Sequence, residues 1–302
     1  MIFACQTPEI EAPGNEPFVV VLGVAQDAGF PQADCQKECC KLAWENPANR
    51  KRTASLGIVD PQTGERWVID ATPDFKDQLW ELNKLAKKRD AQPLSGVLLT
   101  HGHIGHYTGL MHLGFEAIGA KSVPVYAMPR MQSYLTTSGP WDQLVRMQNI
   151  VIKPLADSVE IILNDRIRVR PFLVPHRDEY TETVGYHITG PEKSVIYFPD
   201  IDKWDKWDRR IEDMIASCDR AYLDGSFYLN DEVQGRDMSE FPHPFIVESM
   251  ERFESLPETE KSKITFIHFN HTNPVLQNES RQAENVRQAG FRTALEGEKF
   301  FL

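Results

Sequence analysis

The stretch Val97-Leu98-Leu99-Thr100-His101-Gly102-His103-Ile104-Gly105-His106 constrains this chain more than any other. A short apolar run reads as a buried strand, and it stops at a histidine-rich loop before helix-compatible sequence resumes at Tyr107. Three of the nine histidines fall within this one loop. Imidazole is the commonest metal ligand near neutral pH because one of its nitrogens is largely unprotonated there. Two histidines separated by one glycine at a strand end can turn toward one point, and a third can reach it from the first helical turn. The fold must therefore present this strand end at a place where other ligands can converge.

Other metal-type residues also follow apolar runs directly. His176 comes after Phe172-Leu173-Val174-Pro175, Asp200 after Val195-Ile196-Tyr197-Phe198-Pro199, and His268 after Ile264-Thr265-Phe266-Ile267. Asp224 follows Tyr222-Leu223 and could orient a ligand imidazole, as metal-bound histidines usually require. His243, in Phe241-Pro242-His243-Pro244, reads as a loop residue able to protonate a leaving group.

The pattern predicts strands over 18–23, 55–59, 66–70, 97–100, 122–127, 159–163, 167–174, 183–189, 194–198, 220–223 and 263–267. It predicts helices over 73–89, 107–115, 130–137, 208–217, 244–255 and 280–290; in the first, Phe75, Leu79, Leu82 and Leu85 recur at helical spacing. Strand-rich halves each joined by helices imply an α/β (α+β) chain: two sheets packed face to face and covered outside by helices. A chain of 302 residues is long enough for one large core, and residues 18–302 are read as one domain behind a tail or tether over 1–17.

A net charge of −11 lacks the overall attraction to phosphate backbones that nucleic-acid binders use, so a small-molecule substrate is expected rather than nucleic acid. No apolar stretch approaches the ~20 residues needed to span a bilayer. Five cysteines, an odd number with Cys35, Cys39 and Cys40 clustered, argue for metal or reduced thiols over a disulfide framework. Phe3-Ala4-Cys5 resembles the end of a bacterial lipoprotein signal, but the basic and apolar regions before it are missing. The reading is cytoplasmic as the sequence stands, with lipid anchoring at Cys5 as the alternative if translation starts upstream.

The order of these strand-end residues resembles the metallo-β-lactamase superfamily, an αββα sandwich with one or two metals at the sheet edges. The family signature H-x-H-x-D-H stands here as His101-Gly102-His103-Ile104-Gly105-His106. The resemblance implies a first metal on His101, His103 and His176, with Asp200 bridging to a second metal on His106 and His268. Gly105 departs from the signature aspartate, so the second site lacks one oxygen ligand. That leaves it empty, softer, or filled by water or by another carboxylate such as Asp27 or Asp74, so one firm metal is expected and the second is not assured. Zinc, iron and manganese all suit such ligands, and residue types do not choose among them.

A closer similarity is to the coenzyme PQQ synthesis protein B family. It is carried by Gly29-Phe30-Pro31-Gln32, Asp70-Ala71-Thr72-Pro73-Asp74, His106-Tyr107-Thr108-Gly109-Leu110, Asp224-Gly225-Ser226-Phe227-Tyr228 and Thr272-Asn273-Pro274. Biosynthetic members tend to lack the first two loop histidines that this chain keeps. Related cyclic phosphodiesterases of the superfamily hold a structural zinc on an N-terminal cysteine cluster and a histidine three residues after the last catalytic one. That implies a Cys₃His site of Cys35, Cys39, Cys40 and His271, against a reading of buried reduced thiols.

The function implied is metal-assisted hydrolysis of a small ester, lactone or phosphodiester, with Asp200 holding the metal and orienting its activated water and His243 as general acid. The alternatives are an iron-dependent oxygenase akin to the cofactor-biosynthesis relatives, or a non-catalytic carrier with a degenerate site.

Overall fold

Along the first strand, Val19 and Val21 face one apolar layer while Phe18, Val20 and Leu22 face another. A strand buried on both faces must be apolar throughout, which is why this segment reads as a continuous run rather than an alternation. The computed structural model describes residues 14–87, 92–233, 235–277 and 279–302. Cys5 and most of the tail lie outside the described residues.

In chain order the strands are β1 (Phe18–Gly23), β2 (Ser55–Asp60), β3 (Glu65–Ile69), β4 (Gly96–Leu98), β5 (Val123–Ala127), β6 (Ile150–Pro154) and β7 (Ile161–Ile162). They continue as β8 (Arg168–Leu173), β9 (Val184–Thr189), β10 (Ser194–Phe198), β11 (Arg220–Asp224), β12 (Ile264–Ile267), β13 (Arg292–Thr293) and β14 (Lys299–Phe301). One sheet runs β14-β1-β2-β3-β4-β5-β6 and the other β13-β12-β11-β10-β9-β8-β7. Each is mixed in the same way. Antiparallel pairs come first (β1–β2–β3; β7–β8–β9–β10), then parallel pairs reached through helical crossovers (β3–β4–β5–β6; β10–β11–β12–β13).

Val19, Val21, Leu56, Ile58, Trp67 and Ile69 from the first sheet join Val169, Tyr186, Ile188 and Ile196 from the second in one cluster. The first sheet's other face packs on helices Phe75–Leu85 and Pro129–Thr137 through Phe75, Leu82, Met131 and Leu135. Helices Ile211–Ala216, Ile246–Arg252 and Arg281–Gln288 pack on the other side. The layers are therefore helix, sheet, sheet, helix, as the sequence implies. Among the described residues no helix is long and apolar enough to cross a membrane.

Several short elements depart from the sequence reading, among them β13 and helix Glu258–Lys261. β6, helix Trp141–Arg146 and the closing strand β14 form where no regular structure is expected. β6 is a sheet edge ending in Pro154, and β14 is a three-residue edge strand paired with β1 through Phe18↔Phe301. Edge strands need only one face apolar and tolerate proline, so neither carries a long hydrophobic signature.

What this topology positions is one rim. Parallel strands leave their C-terminal ends side by side, the usual place for ligands in mixed α/β sheets. β3 and β4 deliver Asp70 and the 99–106 loop from one sheet; β10, β11 and β12 deliver Asp200, Asp224 and His268 from the other.

Candidate metal centre

At β4's end, Gly102 donates its amide to Thr181 Oγ1 at 2.7 Å, folding the loop so that its imidazoles turn inward. A side chain at 102 would meet the Thr181 methyl at 2.8 Å, so glycine permits the close approach. His101 Nε2 then lies 2.8 Å from His103 Nδ1 and 3.2 Å from Asp200 Oδ2. His176 Nε2 is 3.1 Å from Asp200 Oδ1. His101, His103, His176 and Asp200 each offer one ligand atom, all within 4.8 Å of one another. Beside this set, Asp27, His106 and His268 converge within the same limit.

Most of these imidazoles have a hydrogen bond on the other nitrogen; His176 Nδ1 makes none and only stands near a carboxylate. Thr100 Oγ1 donates its single proton to Asp70, so it must accept from His101 Nδ1 at 2.9 Å, which leaves His101 Nε2 unprotonated. His106 Nδ1 donates to Asp70 Oδ2 at 2.7 Å. His176 Nδ1 faces Asp202 at 3.4 Å, His103 Nε2 faces Glu179 at 3.4 Å, and His268 Nδ1 faces Ser226 Oγ at 3.0 Å. This arrangement, carboxylate or hydroxyl behind imidazole, fixes the tautomer and raises the basicity of a metal ligand. Asp70 and His268 also hold left-handed backbone (φ 68° and 67°), a cost that non-glycine residues bear chiefly at functional sites.

Fit to a cation can be judged from what the protein leaves unsatisfied. His106 Nε2, His176 Nε2, His268 Nε2 and Asp200 Oδ1 are buried without a hydrogen-bond partner. Orphaned buried polar atoms are costly, and here they aim at common points. The electrostatics agree. Burial, with the neighbouring His106, holds His101 well below the usual histidine range, and burial also lowers His268. For His106 and His176 burial pulls down but carboxylates win, Asp70 raising His106 and Asp200 raising His176 to about 10. Burial alone would raise the Asp200 carboxyl; His176 and His243 hold it well below the usual carboxylate range.

His243 is buried (6 % exposed) rather than at the surface, on the Asp200 side of the rim. Its Nδ1 donates to Asp224 Oδ2 at 2.8 Å and lies 3.3 Å from Asp200 Oδ1. Asp224 is itself pinned by the amides of Ser226 (2.8 Å) and Ile201 (3.1 Å). Burial lowers the His243 pKa, but Asp224 and Asp200 outweigh it and the net shift is upward. The ring lines a cleft of about 440 Å³ together with Gln26, Asp27, Arg177, Arg236 and Phe241.

A separate thiol cluster forms where the sequence expects it. Cys35, Cys39, Cys40 and His271 bring one ligand atom each within 4.8 Å, with Cys39 Sγ and Cys40 Sγ 3.7 and 3.4 Å from His271 Nδ1. Adjacent Cys39 and Cys40 both reach the centre because they open helix Glu38–Glu45, while Cys35 approaches from the preceding loop. Burial pushes the Cys40 thiol up to about 12, so a cation is what would make it a thiolate.

Asp74, one of the two carboxylates considered for the weakened second site, is elsewhere. It accepts from the Thr53 amide at 2.7 Å and hydroxyl at 3.0 Å. The outer partners Asp70, Thr100, Glu179, Asp202 and Ser226 were not singled out as site residues from the sequence. Four of them stand beside a strand end or within two residues of a ligand candidate, which is the only signal that could have found them.

Comparison with known proteins agrees with this architecture. The model of the β-lactamase superfamily domain matches residues 65–269. Coenzyme PQQ synthesis protein B of Methylorubrum extorquens is 28% identical over 309 aligned positions, covering 92% of this chain and 98% of that protein. The crystal structure of Zn(2+)-bound PqqB from Methylobacterium extorquens superposes with a TM-score of 0.79 at 23% identity, over 94% of this chain and all of that one. A diphosphatase from the PhnP family gives a TM-score of 0.66 at 20% identity, over 95% and 97% of the two chains.

Proposed function

The chain belongs to the β-lactamase superfamily, and from that premise we propose that it is a metal-dependent hydrolase of a small ester, lactone or phosphodiester-type substrate. The observation that carries the reading is the convergence of His101, His103, His176 and Asp200 beside the Asp224–His243 pair, with His243 lining a cleft. His101, His103, His176 and Asp200 would hold a divalent cation, which would supply Lewis acidity and make water acidic enough to ionise near neutral pH.

The chain's own residues do the rest. Asp200, ionised, keeps Oδ2 toward His101 and His103 and Oδ1 toward His176 and His243. Asp224 keeps the His243 proton on Nδ1 and aims Nε2 at the cleft. Asp224 and Asp200 favour the doubly protonated ring, whose Nε2–H suits the role of a general acid toward a departing alkoxide.

The test pairs composition with rate. His101→Ala loses the active-site metal together with hydrolysis of aryl ester and bis-aryl phosphodiester probes. His243→Gln keeps its metal and loses ~10²–10⁴-fold in turnover, most for poor leaving groups. Undiminished hydrolysis by a metal-free His101→Ala protein would end this reading.

A further inference from the structure

We infer that Asp27, on the loop after β1, is the carboxylate ligand of a second cation, replacing the acidic side chain that its H-x-H-x-D-H signature lacks at Gly105. The inference rests on the hydrolase reading only in sharing Asp200 between the two ligand sets.

The first ground is volume. A Cβ built on Gly105 would lie 2.4 Å from Asp27 Cα, 2.8 Å from Asp27 O and 2.8 Å from Asp27 Oδ1. Those separations are too short for any real side chain, and two of the three atoms are backbone, which no rotamer change can move. The space a residue at 105 would need is therefore filled by Asp27. Glycine here is the condition for the loop's approach, and the carboxylate has moved to the other side of the contact.

The second ground is the donor set. Asp27 Oδ1 faces His106 Nε2 at 3.9 Å, and Asp200 Oδ2 faces the same nitrogen at 3.8 Å. Asp27, His106 and His268 bring their ligand atoms within 4.8 Å of one another. His106 and His268 are fully buried, and the Nε2 of each has no hydrogen-bond partner. Their Nδ1 atoms are taken by Asp70 and Ser226, so the Nε2 lone pairs can be satisfied only from the side where Asp27 stands. Two imidazoles and two carboxylates suit zinc, manganese or iron.

The third ground is that the loop is held in place. Gln26 donates its amide to Phe269 O at 2.8 Å, Phe269 donates to Val24 O at 2.8 Å, and Asn270 Nδ2 donates to Gln26 Oε1 at 2.6 Å. Asp27 itself adopts φ 43°, the left-handed region that its neighbours would have to enforce. The same residues that carry His268 thus position the carboxylate opposite it.

The experiment uses the full chain saturated with zinc, freed of excess by gel filtration and measured for zinc per chain. Asp27→Asn keeps size and removes charge at a side chain 42% exposed, so it should fold as the native protein does. The expected result is one zinc fewer per chain than wild type, and Gly105→Ala, which leaves every ligand in place but displaces the loop, should show the same loss. With cobalt in place of zinc, the visible absorption of the His106 site should vanish from Asp27→Asn while that of the His101 site stays. Wild-type zinc content and an unchanged cobalt spectrum in Asp27→Asn would overturn the inference and leave the hydrolase reading standing. Full zinc retention in His101→Ala would instead count against that reading.

Discussion

Replacing Asp70 by asparagine changes almost no volume but reverses one donor–acceptor relation at the heart of the site. Asp70 is fully buried and acts only as an acceptor, from the Thr100 amide at 2.8 Å, the Thr100 hydroxyl at 2.9 and 3.0 Å and His106 Nδ1 at 2.7 Å. An amide has only one acceptor atom. If that oxygen keeps Thr100, the NH₂ group faces His106 Nδ1 and forces it to accept. The His106 proton then moves to Nε2, the nitrogen that must be bare to hold a cation. Loss of such an outer partner typically costs ~10–100-fold in metal affinity, or about 1.4–2.7 kcal/mol. The loss should fall mainly on the His106 site, because His103 and His176 are backed by Glu179 and Asp202 instead. Competition against a chromophoric chelator measures both affinities, and ¹⁵N shifts of His106 report its tautomer in the apoprotein. Equal affinities in wild type and Asp70→Asn, with Nδ1 still protonated, would refute the tautomer argument.

Further outcomes can be checked on the same protein. Glu232 accepts from the amides of Tyr228 and Leu229, yet burial dominates and raises its pKa from 4.5 to about 7. The native chain therefore holds a proton that the unfolded chain has released between those values, and stability should fall as pH rises from about 4.5 to about 7. Glu232→Gln should flatten that fall in Tm, and parallel curves would show that another group controls it. His271→Asn should release one zinc per chain and lower Tm by on the order of 5 °C, given roughly 2 °C per kcal/mol for a chain of this size; an unaltered zinc content would mean that the thiols hold no cation.

Much of the architecture was legible because apolar runs ended at residues of unusual chemistry. His101, His103, His176, Asp200 and His268 each follow such a run, and the structure brings them to one rim. β6 and β14 were not legible, since an edge strand of three to five residues leaves no hydrophobic pattern long enough to read. Nor were the outer partners: the bond from His106 to Asp70 joins residues 36 apart, and no spacing rule links them. Between Asp27 and Asp74 the sequence offered no choice. Only the path of the loop after β1 decides it, because Asp27 abuts Gly105 whereas Asp74 is bound to Thr53.

His268 and His271 lie on a single turn whose middle residues, Phe269 and Asn270, are bonded to the loop bearing Asp27. The thiol cluster and the imidazole rim are thereby joined through four consecutive residues, 268–271. His271 and His268 share that anchorage, so a displacement of the turn would carry both ligand sets with it.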